Sequence, residues 1–297
     1  MSATDEIRLA APAKINLYLH VVGRRATGYH DLDSLVMFAT EGDVLTVRAL
    51  PAGEALRLSL DGPFADALLN EPMANNLVVR AALAMAGQLG RSPALAITLT
   101  KRLPIASGIG GGSADAAACL RALCRLWHHP EHAPELLALA AGLGADLPVC
   151  LKGRAAYFGG IGDRLDPAPL LPDCPAVLVN PGVQVPTPTV FRNRAQIYTA
   201  PARLETPPTD VAALAEALSW RRNDLTEAAI AVAPVIATVL RELEATEHCL
   251  LARLSGSGAT CFALFPDTAA AASAARALAA AYPGWWVRPC QLVSQTI

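Results

Sequence analysis

The segment Pro104-Ile105-Ala106-Ser107-Gly108-Ile109-Gly110-Gly111-Gly112-Ser113-Ala114 constrains this chain more than any other. Glycine crowds its middle, so it resists regular structure, and it joins two segments of different periodicity. Residues 94–100 read as a strand that stops at Pro104, and beyond Ser113 the apolar residues Ala117, Leu120, Leu123, Cys124 and Trp127 recur at helical spacing. The chain must pass from strand to helix through a glycine loop, with Ser113 predicted to cap the helix. A loop so placed can turn successive backbone N–H groups onto an anion and add the partial positive charge of a helix start. Taken alone it is also compatible with a mobile turn. A Walker loop needs Gly-Lys-Ser/Thr after its glycines and a dinucleotide fingerprint wants glycine where Ser113 stands, so the run is neither.

Around this loop the sequence predicts an α+β protein. Residues 15–21 alternate, with Ile15, Leu17, Leu19 and Val21 on one face of a half-buried strand and Asn16, Tyr18 and His20 on the other; Lys14 falls beside Asn16 on the polar face. Further strands are expected at 35–39, 44–49 and 56–60, with Glu41-Gly42-Asp43 as a turn between the first two. Helices are expected from Asn75 or Asn76 to 89 and over 134–143. The second half predicts a strand at 176–180, a proline-bearing linker at 201–208, and helices at 211–218, 225–232, 235–245 and 268–281. Strands 250–254 and 260–265 flank the small-residue loop Ser255-Gly256-Ser257-Gly258 like the arms of a hairpin, and a strand at 285–288 ends the series. Two domains are expected, 1–167 and 168–297. Asn223-Asp224 reads as a helix cap and His128-His129 as a helix end.

Bulk properties narrow the function. Lysine and arginine number 24 against 26 acidic residues in 297, which leaves no basic excess for a nucleic-acid backbone or an anionic membrane. The seven cysteines are scattered without metal-ligand or Cys-x-x-Cys spacing and read as buried, reduced thiols. Residues 1–9 carry Asp5, Glu6 and Arg8 in place of an apolar signal core, and no charge-free run reaches membrane-spanning length. A cytoplasmic protein acting on small molecules is the expectation.

Three motifs in order, Pro12-Ala13-Lys14-Ile15-Asn16-Leu17, the glycine loop and Ser255-Gly256-Ser257-Gly258, identify a resemblance to the galactokinase, homoserine, mevalonate and phosphomevalonate (GHMP) kinase superfamily. The resemblance implies two domains, an N-terminal one like domain 2 of ribosomal protein S5 and a ferredoxin-like C-terminal one, with the active site in the cleft between them. It also implies ATP as co-substrate, accompanied by Mg2+ without a fixed protein cage. Within the superfamily, Gly23-Arg24-Arg25-Ala26-Thr27-Gly28-Tyr29-His30-Asp31-Leu32 and Gly144-Ala145-Asp146-Leu147-Pro148 are similar to members that phosphorylate a cytidine diphosphate-linked sugar alcohol. Kinases acting on homoserine, mevalonate or a sugar, and a catalytically silent nucleotide-binding regulator, are the alternatives.

Carried onto this sequence, the resemblance assigns residues 104–114 to the ATP phosphates, Asp146 to the proton of the accepting hydroxyl, and Lys14 to the same hydroxyl and the transferring phosphoryl group. Asn16, Tyr29, His30, Thr187, Phe191, Gly256, Ser257 and Gly258 are assigned to the acceptor, with Tyr29 and Phe191 as walls for the pyrimidine and His30 reading its edge. The sequence departs from the family pattern at Ile105-Ala106-Ser107, where glycine is more usual, and at Ala114, where a second serine is common.

Overall fold

The computed structural model describes residues 6–296; of the amino-terminal stretch judged above for a signal core, residues 1–5 lie outside it. The fold is α+β. The chain builds two compact units and passes repeatedly from one to the other: the first comprises residues 6–13, 42–105 and 110–152, the second residues 14–41, 106–109 and 153–296.

Two long strands, β1 (Glu6–Arg24) and β2 (His30–Ala49), contribute to both units. In the first unit β3 (Arg57–Asp61) runs parallel to β4 (Leu95–Thr100), which pairs antiparallel with β2 from Val44 opposite Thr100 to Ala49 opposite Leu95. The predicted turn at Glu41-Gly42-Asp43 does not exist, and β2 runs straight through it. Gly42 is required for a different reason: a Cβ there would stand 2.5 Å from the Ala11 carbonyl oxygen and 2.7 Å from the Pro12 Cα, so only glycine admits the close approach of β1.

Helix α1 (Leu77–Gln88) begins where the Asn76 side chain accepts the Val78 N–H at 2.9 Å. It packs on α2 (Gly111–Trp127), which in turn meets α4 (Leu147–Lys152), with α3 (Pro134–Leu143) between them in sequence. Alanines at 114, 116, 117, 118 and 122 let α2 pack closely, and fully buried Leu120 and Leu123 contribute about 1.5–3 kcal/mol each. The cap of α2 is Gly110, at φ 65°, rather than Ser113. The left-handed turn that only glycine adopts without strain starts the helix two residues before the predicted cap.

In the second unit β5 (Ala156–Gly160) pairs antiparallel with residues 32–36 of β2 and with β6 (Arg164–Pro167). β7 (Cys174–Asn180) is followed by four helices, α5 (Thr187–Asn193), α6 (Val211–Ser219), α7 (Thr226–Val232) and α8 (Val235–Glu244). The hairpin β8 (Leu251–Leu254) and β9 (Cys261–Leu264), helix α9 (Thr268–Ala281) and β10 (Trp286–Val293) complete the unit. An antiparallel sheet results in the order β2-β10-β7-β9-β8, with α9 against β7 and β10. Strands β5 and β6 were not foreseen, since their short segments show no clear alternation. β1 also departs from expectation: Lys14, Asn16, Tyr18 and His20, predicted on an open polar face, are all buried. Of the seven free thiols, Cys249 and Cys290 are half-buried rather than buried. Among the described residues no helix is long and apolar enough to cross a membrane.

Candidate active site

The three motifs meet within the second unit. The Lys14 N–H donates to the Ile109 carbonyl at 2.9 Å and the Thr260 N–H to the Ser107 carbonyl at 3.0 Å. Ser255 joins the remaining two: its Oγ accepts the Asn16 N–H at 3.2 Å and donates to the Gly108 carbonyl at 3.2 Å. Glycine makes this approach possible from both sides. A Cβ on Gly108 would lie 2.5 Å from the Ser255 carbonyl oxygen, and one on Gly256 would lie 2.7 Å from the Gly108 carbonyl oxygen. The sequence departure at Ala106 has a visible cost, because this residue sits at φ 50°, a left-handed conformation that glycine adopts freely and alanine does not.

Side chains behind this junction form a directed series of hydrogen bonds. Lys14, only 3% exposed, donates from Nζ to Asn16 Oδ1 at 2.8 Å, and its ammonium lies 5.5 Å from the centroid of the Phe158 ring. Asn16 Nδ2 donates to Ser34 Oγ at 2.8 Å, and Ser34 Oγ donates to the Tyr18 carbonyl at 2.5 Å. The Tyr18 hydroxyl donates to Asp33 Oδ2 at 3.0 Å, which also accepts the Ala202 N–H at 2.9 Å. Asn223, expected as a cap, does accept the Leu225 N–H at 2.9 Å, and its Nδ2 also donates to the carbonyls of Leu254 and Gly256 at 2.8 and 2.7 Å. It therefore fixes the Ser255–Gly258 loop and a turn before α7, whose cap is Leu225 without a side-chain hydrogen bond rather than the expected Asn223-Asp224.

In the first unit, Gly110 to Ala114 form the start of α2. No side chain caps it, so its first N–H groups are available to an anion. Directly beneath lies a buried ionic cluster. Lys101 Nζ donates to Asp115 Oδ2 at 2.7 Å and to Asp43 Oδ2, while Asp43 Oδ1 accepts the N–H groups of Arg102 at 2.5 Å and Leu103 at 2.9 Å. A Cβ on Gly111 would stand 3.7 Å from both Lys101 Nζ and Asp43 Oδ2. The cluster thus ties the residues entering the glycine loop, 101–103, to Asp115, one turn past its exit. Burial raises the Asp115 pKa to about 8, with Lys101 opposing the shift and Asp43 adding to it. Asp146 stands half-buried at the start of α4, where its carbonyl accepts the Cys150 N–H at 3.2 Å.

The residues assigned to the acceptor are placed less simply. His30, not Tyr29, faces Phe191: the two rings stack at 5.1 Å and 23°. Tyr29 is 65% exposed because the turn ending at Gly28 carries it outward. Burial, with Arg194 and Arg24 nearby, lowers the His30 pKa and favours a neutral imidazole. Thr187 Oγ1 and Ser257 Oγ share a hydrogen bond at 2.7 Å, bringing two of the assigned residues together. A cavity of about 750 Å³ in the same unit, lined by Arg194, Asn223, Arg253 and Leu254 among others, contains none of the residues assigned from sequence.

Comparison with known proteins gives this geometry a family. The models for the N-terminal domain and the C-terminal part of GHMP kinases match residues 76–154 and 204–284, on either side of residue 167. The chain is 51% identical over 286 residues to 4-diphosphocytidyl-2-C-methyl-D-erythritol kinase of Paramagnetospirillum magneticum, covering 96% of this chain and 98% of that one. It is 54% identical over 287 residues to the kinase of the same name from Cereibacter sphaeroides, covering 95% and 98%. The chain belongs to the 4-diphosphocytidyl-2-C-methyl-D-erythritol kinase family. A crystal structure of 4-(cytidine 5'-diphospho)-2C-methyl-D-erythritol kinase superposes on this kinase with a TM-score of 0.77 at 34% identity, covering 96% of this chain and 99% of that one. Homoserine kinase from Cytophaga hutchinsonii, with a TM-score of 0.75 at 20% identity and coverage of 99% and 97%, shares the fold.

Several residues that shape the site of this kinase were missed in the sequence. Ser255 appeared only as part of a loop, and Ser34, Asp43, Lys101 and Asp115 did not stand out. Asp115 carried a usable signal, a charge inside the alanine-rich stretch Ser113-Ala114-Asp115-Ala116-Ala117-Ala118, where burial is cheap for every neighbour and costly for it. Ser34 carried none, because a serine in a strand is unremarkable until its partners are known.

Proposed function

We propose that this kinase transfers the terminal phosphoryl group of ATP to the 2-hydroxyl of 4-diphosphocytidyl-2-C-methyl-D-erythritol, a step of the methylerythritol phosphate route to isopentenyl diphosphate. The observation that carries the catalytic part is the junction of Lys14, Asn16, Gly108 and Ser255, where three distant segments of sequence are held together by backbone and hydroxyl hydrogen bonds. The acceptor follows from the relatives at about half identity over nearly the whole chain.

In this reading residues 104–114 hold the phosphates of ATP, which enters as its magnesium complex. Among the described residues no group of three or more His, Cys, Asp or Glu side chains could hold a metal ion, and magnesium commonly keeps most of its ligands from phosphate and water. Lys14 offsets negative charge on the transferring oxygens and lowers the proton affinity of the hydroxyl. Asp146 receives the hydroxyl proton late, since a carboxylate is far too weak a base to remove it before the loose transition state forms. Asn16 hydrogen-bonds the acceptor, as do Thr187 and the loop Gly256-Ser257-Gly258. The neutral His30 ring, backed by Phe191, presents both a donor and an acceptor to the edge of cytosine, and exposed Tyr29 supplies a face for stacking. A cytoplasmic location completes the reading.

The test is ATP consumption with the cytidylated alcohol, homoserine and mevalonate in parallel. Turnover confined to the first is expected, and comparable kcat/KM with either of the others overturns the acceptor assignment. In the same assay Asp146→Asn should lower kcat by about 100-fold or more with ATP affinity nearly unchanged; wild-type turnover would remove Asp146 from the mechanism.

A further inference from the structure

We propose that Ser34 is a positioning residue for phosphoryl transfer: it fixes the orientation of the Asn16 amide and, through that amide, the place of the Lys14 ammonium. The proposal deepens the reading of Lys14 given above and rests on it.

The argument is one of donors and acceptors. A serine hydroxyl owns a single proton. Ser34 must commit that proton to the Tyr18 carbonyl, an acceptor without any proton of its own, at 2.5 Å. Only lone pairs of Ser34 Oγ are then left to face Asn16, 2.8 Å away. The amide can meet them only with Nδ2, so its oxygen is turned to Lys14 Nζ, also at 2.8 Å. Rotating the amide by half a turn would set oxygen against oxygen lone pairs at Ser34 and N–H against ammonium at Lys14. Both contacts would be repulsive, and Ser34 and Asn16 are too fully buried for bulk water to relieve them. A single buried hydroxyl thus selects one of two amide orientations and turns an acceptor toward the ammonium.

Register explains why Ser34 can do this. It lies opposite Phe158 where β2 pairs with β5, and the Phe158 ring stands 5.5 Å from Lys14 Nζ. Lys14 is therefore bounded by Asn16 on one side and by an aromatic face on another. Ser255 works in the same way on the Asn16 backbone, passing its proton to the Gly108 carbonyl and its lone pair to the Asn16 N–H. The two serines hold side chain and main chain of one residue in fixed polarity.

The experiment uses the full chain with ATP and the cytidylated alcohol, and measures kcat, both KM values and Tm for Ser34→Ala, Asn16→Ala, the double variant and Lys14→Met. For Ser34→Ala we expect kcat per folded enzyme to fall about tenfold, with KM for ATP changed less than about twofold. Because Ser34 acts through Asn16, adding Ser34→Ala to Asn16→Ala should have little further effect on kcat. A purely structural serine would lower Tm and leave kcat per folded enzyme alone; that result, or full multiplication of the two single effects, overturns the proposal. Ser34→Cys, close in shape but a weak hydrogen-bond partner, supplies the same comparison should the alanine variant fail to fold, and wild-type kcat in it is equally fatal. If Lys14→Met retains wild-type turnover, the role of Lys14 itself is wrong, a failure distinct from a silent Ser34 beside a damaging Lys14→Met.

Discussion

Two buried polar clusters support different parts of the glycine loop, and they are built on opposite principles. In the first unit Lys101, Asp43 and Asp115 hold residues 101–103 and the start of α2 by charge. In the second unit Asn16, Ser34 and Ser255 hold the Lys14 strand and residues 107–109 by neutral hydrogen bonds whose donors and acceptors alternate. The charged cluster relies on magnitude. Burial works against the ammonium, yet Asp115 and Asp43 outweigh it and hold the Lys101 amine above its ordinary range; burial in turn raises the Asp115 carboxyl far above the usual carboxylate range, so its share of the attraction depends on pH. The neutral cluster relies on direction, since each of its bonds contributes little by itself but each determines which way the next group must face. Strength suits a segment that need only stay in place, whereas orientation suits side chains that must aim at a reacting atom.

Removing the one cation should break this contrast most visibly. Lys101→Met replaces the ammonium by a side chain of similar length and leaves two buried carboxyl groups facing each other. Loss of one partner from a buried ion pair typically costs about 3–5 kcal/mol, and we expect a loss of that size in urea unfolding, together with weaker ATP binding as residues 101–103 and α2 are released from each other. A loss below about 1 kcal/mol would mean that the cluster is not what holds the two ends of the loop.

The same contrast governs how much could be read in advance. The glycine loop, the helix after it and the extended course of β1 were legible because each is written in local sequence: glycine for left-handed or crowded backbone, periodicity for the type of element. The Ser255–Gly258 loop was legible for the same reason. What could not be read is pairing across distance. Asp43 looked like part of a turn because Gly42 is a common turn residue, while its actual requirement is the approach of Ala11 and Pro12. Tyr18 and His20 looked exposed because polar residues alternate there, yet each finds partners at remote positions, Asp33 for the first and the Ala200 carbonyl and Arg222 N–H for the second. The ring that meets Phe191 could not be read either, because it is fixed by the turn ending at Gly28, which brings His30 inward and carries Tyr29 out.

A smaller effect, specific to the charged cluster, is its pH dependence. Asp115 has a pKa of about 8 when folded against 3.8 as its ordinary value, so between about pH 4 and about pH 8 the folded protein binds the proton more tightly than the unfolded chain. Stability from this group is complete below the lower value and is lost as pH rises through the upper one. Asp115→Asn cannot titrate and can still offer an oxygen to Lys101. It should flatten the pH profile of the urea midpoint over this window, by no more than about 1.4 kcal/mol per pH unit at any point. An unchanged slope would show that Asp115 is ionised throughout.

The smallest expected effect tests the neutral cluster, and Tyr18 is suited to it because its side chain and main chain do different things. The hydroxyl donates to Asp33 Oδ2 at 3.0 Å, whereas the carbonyl takes the Ser34 proton. Burial first, and then the Asp33 carboxylate, raise the phenol pKa, so the hydroxyl is a permanent donor in the working pH range. Tyr18→Phe deletes it and leaves Asp33 with the Ala202 N–H and the Arg203 guanidinium. A cost of about 1 kcal/mol in urea unfolding follows from losing one hydrogen bond whose acceptor keeps other partners. Turnover should change less than about twofold, because the carbonyl that directs Ser34 and Asn16 is untouched. A fall in kcat as large as that of Ser34→Ala would show that the influence on Lys14 reaches as far as Asp33, and the division between an orienting series and its structural anchor would have to be redrawn.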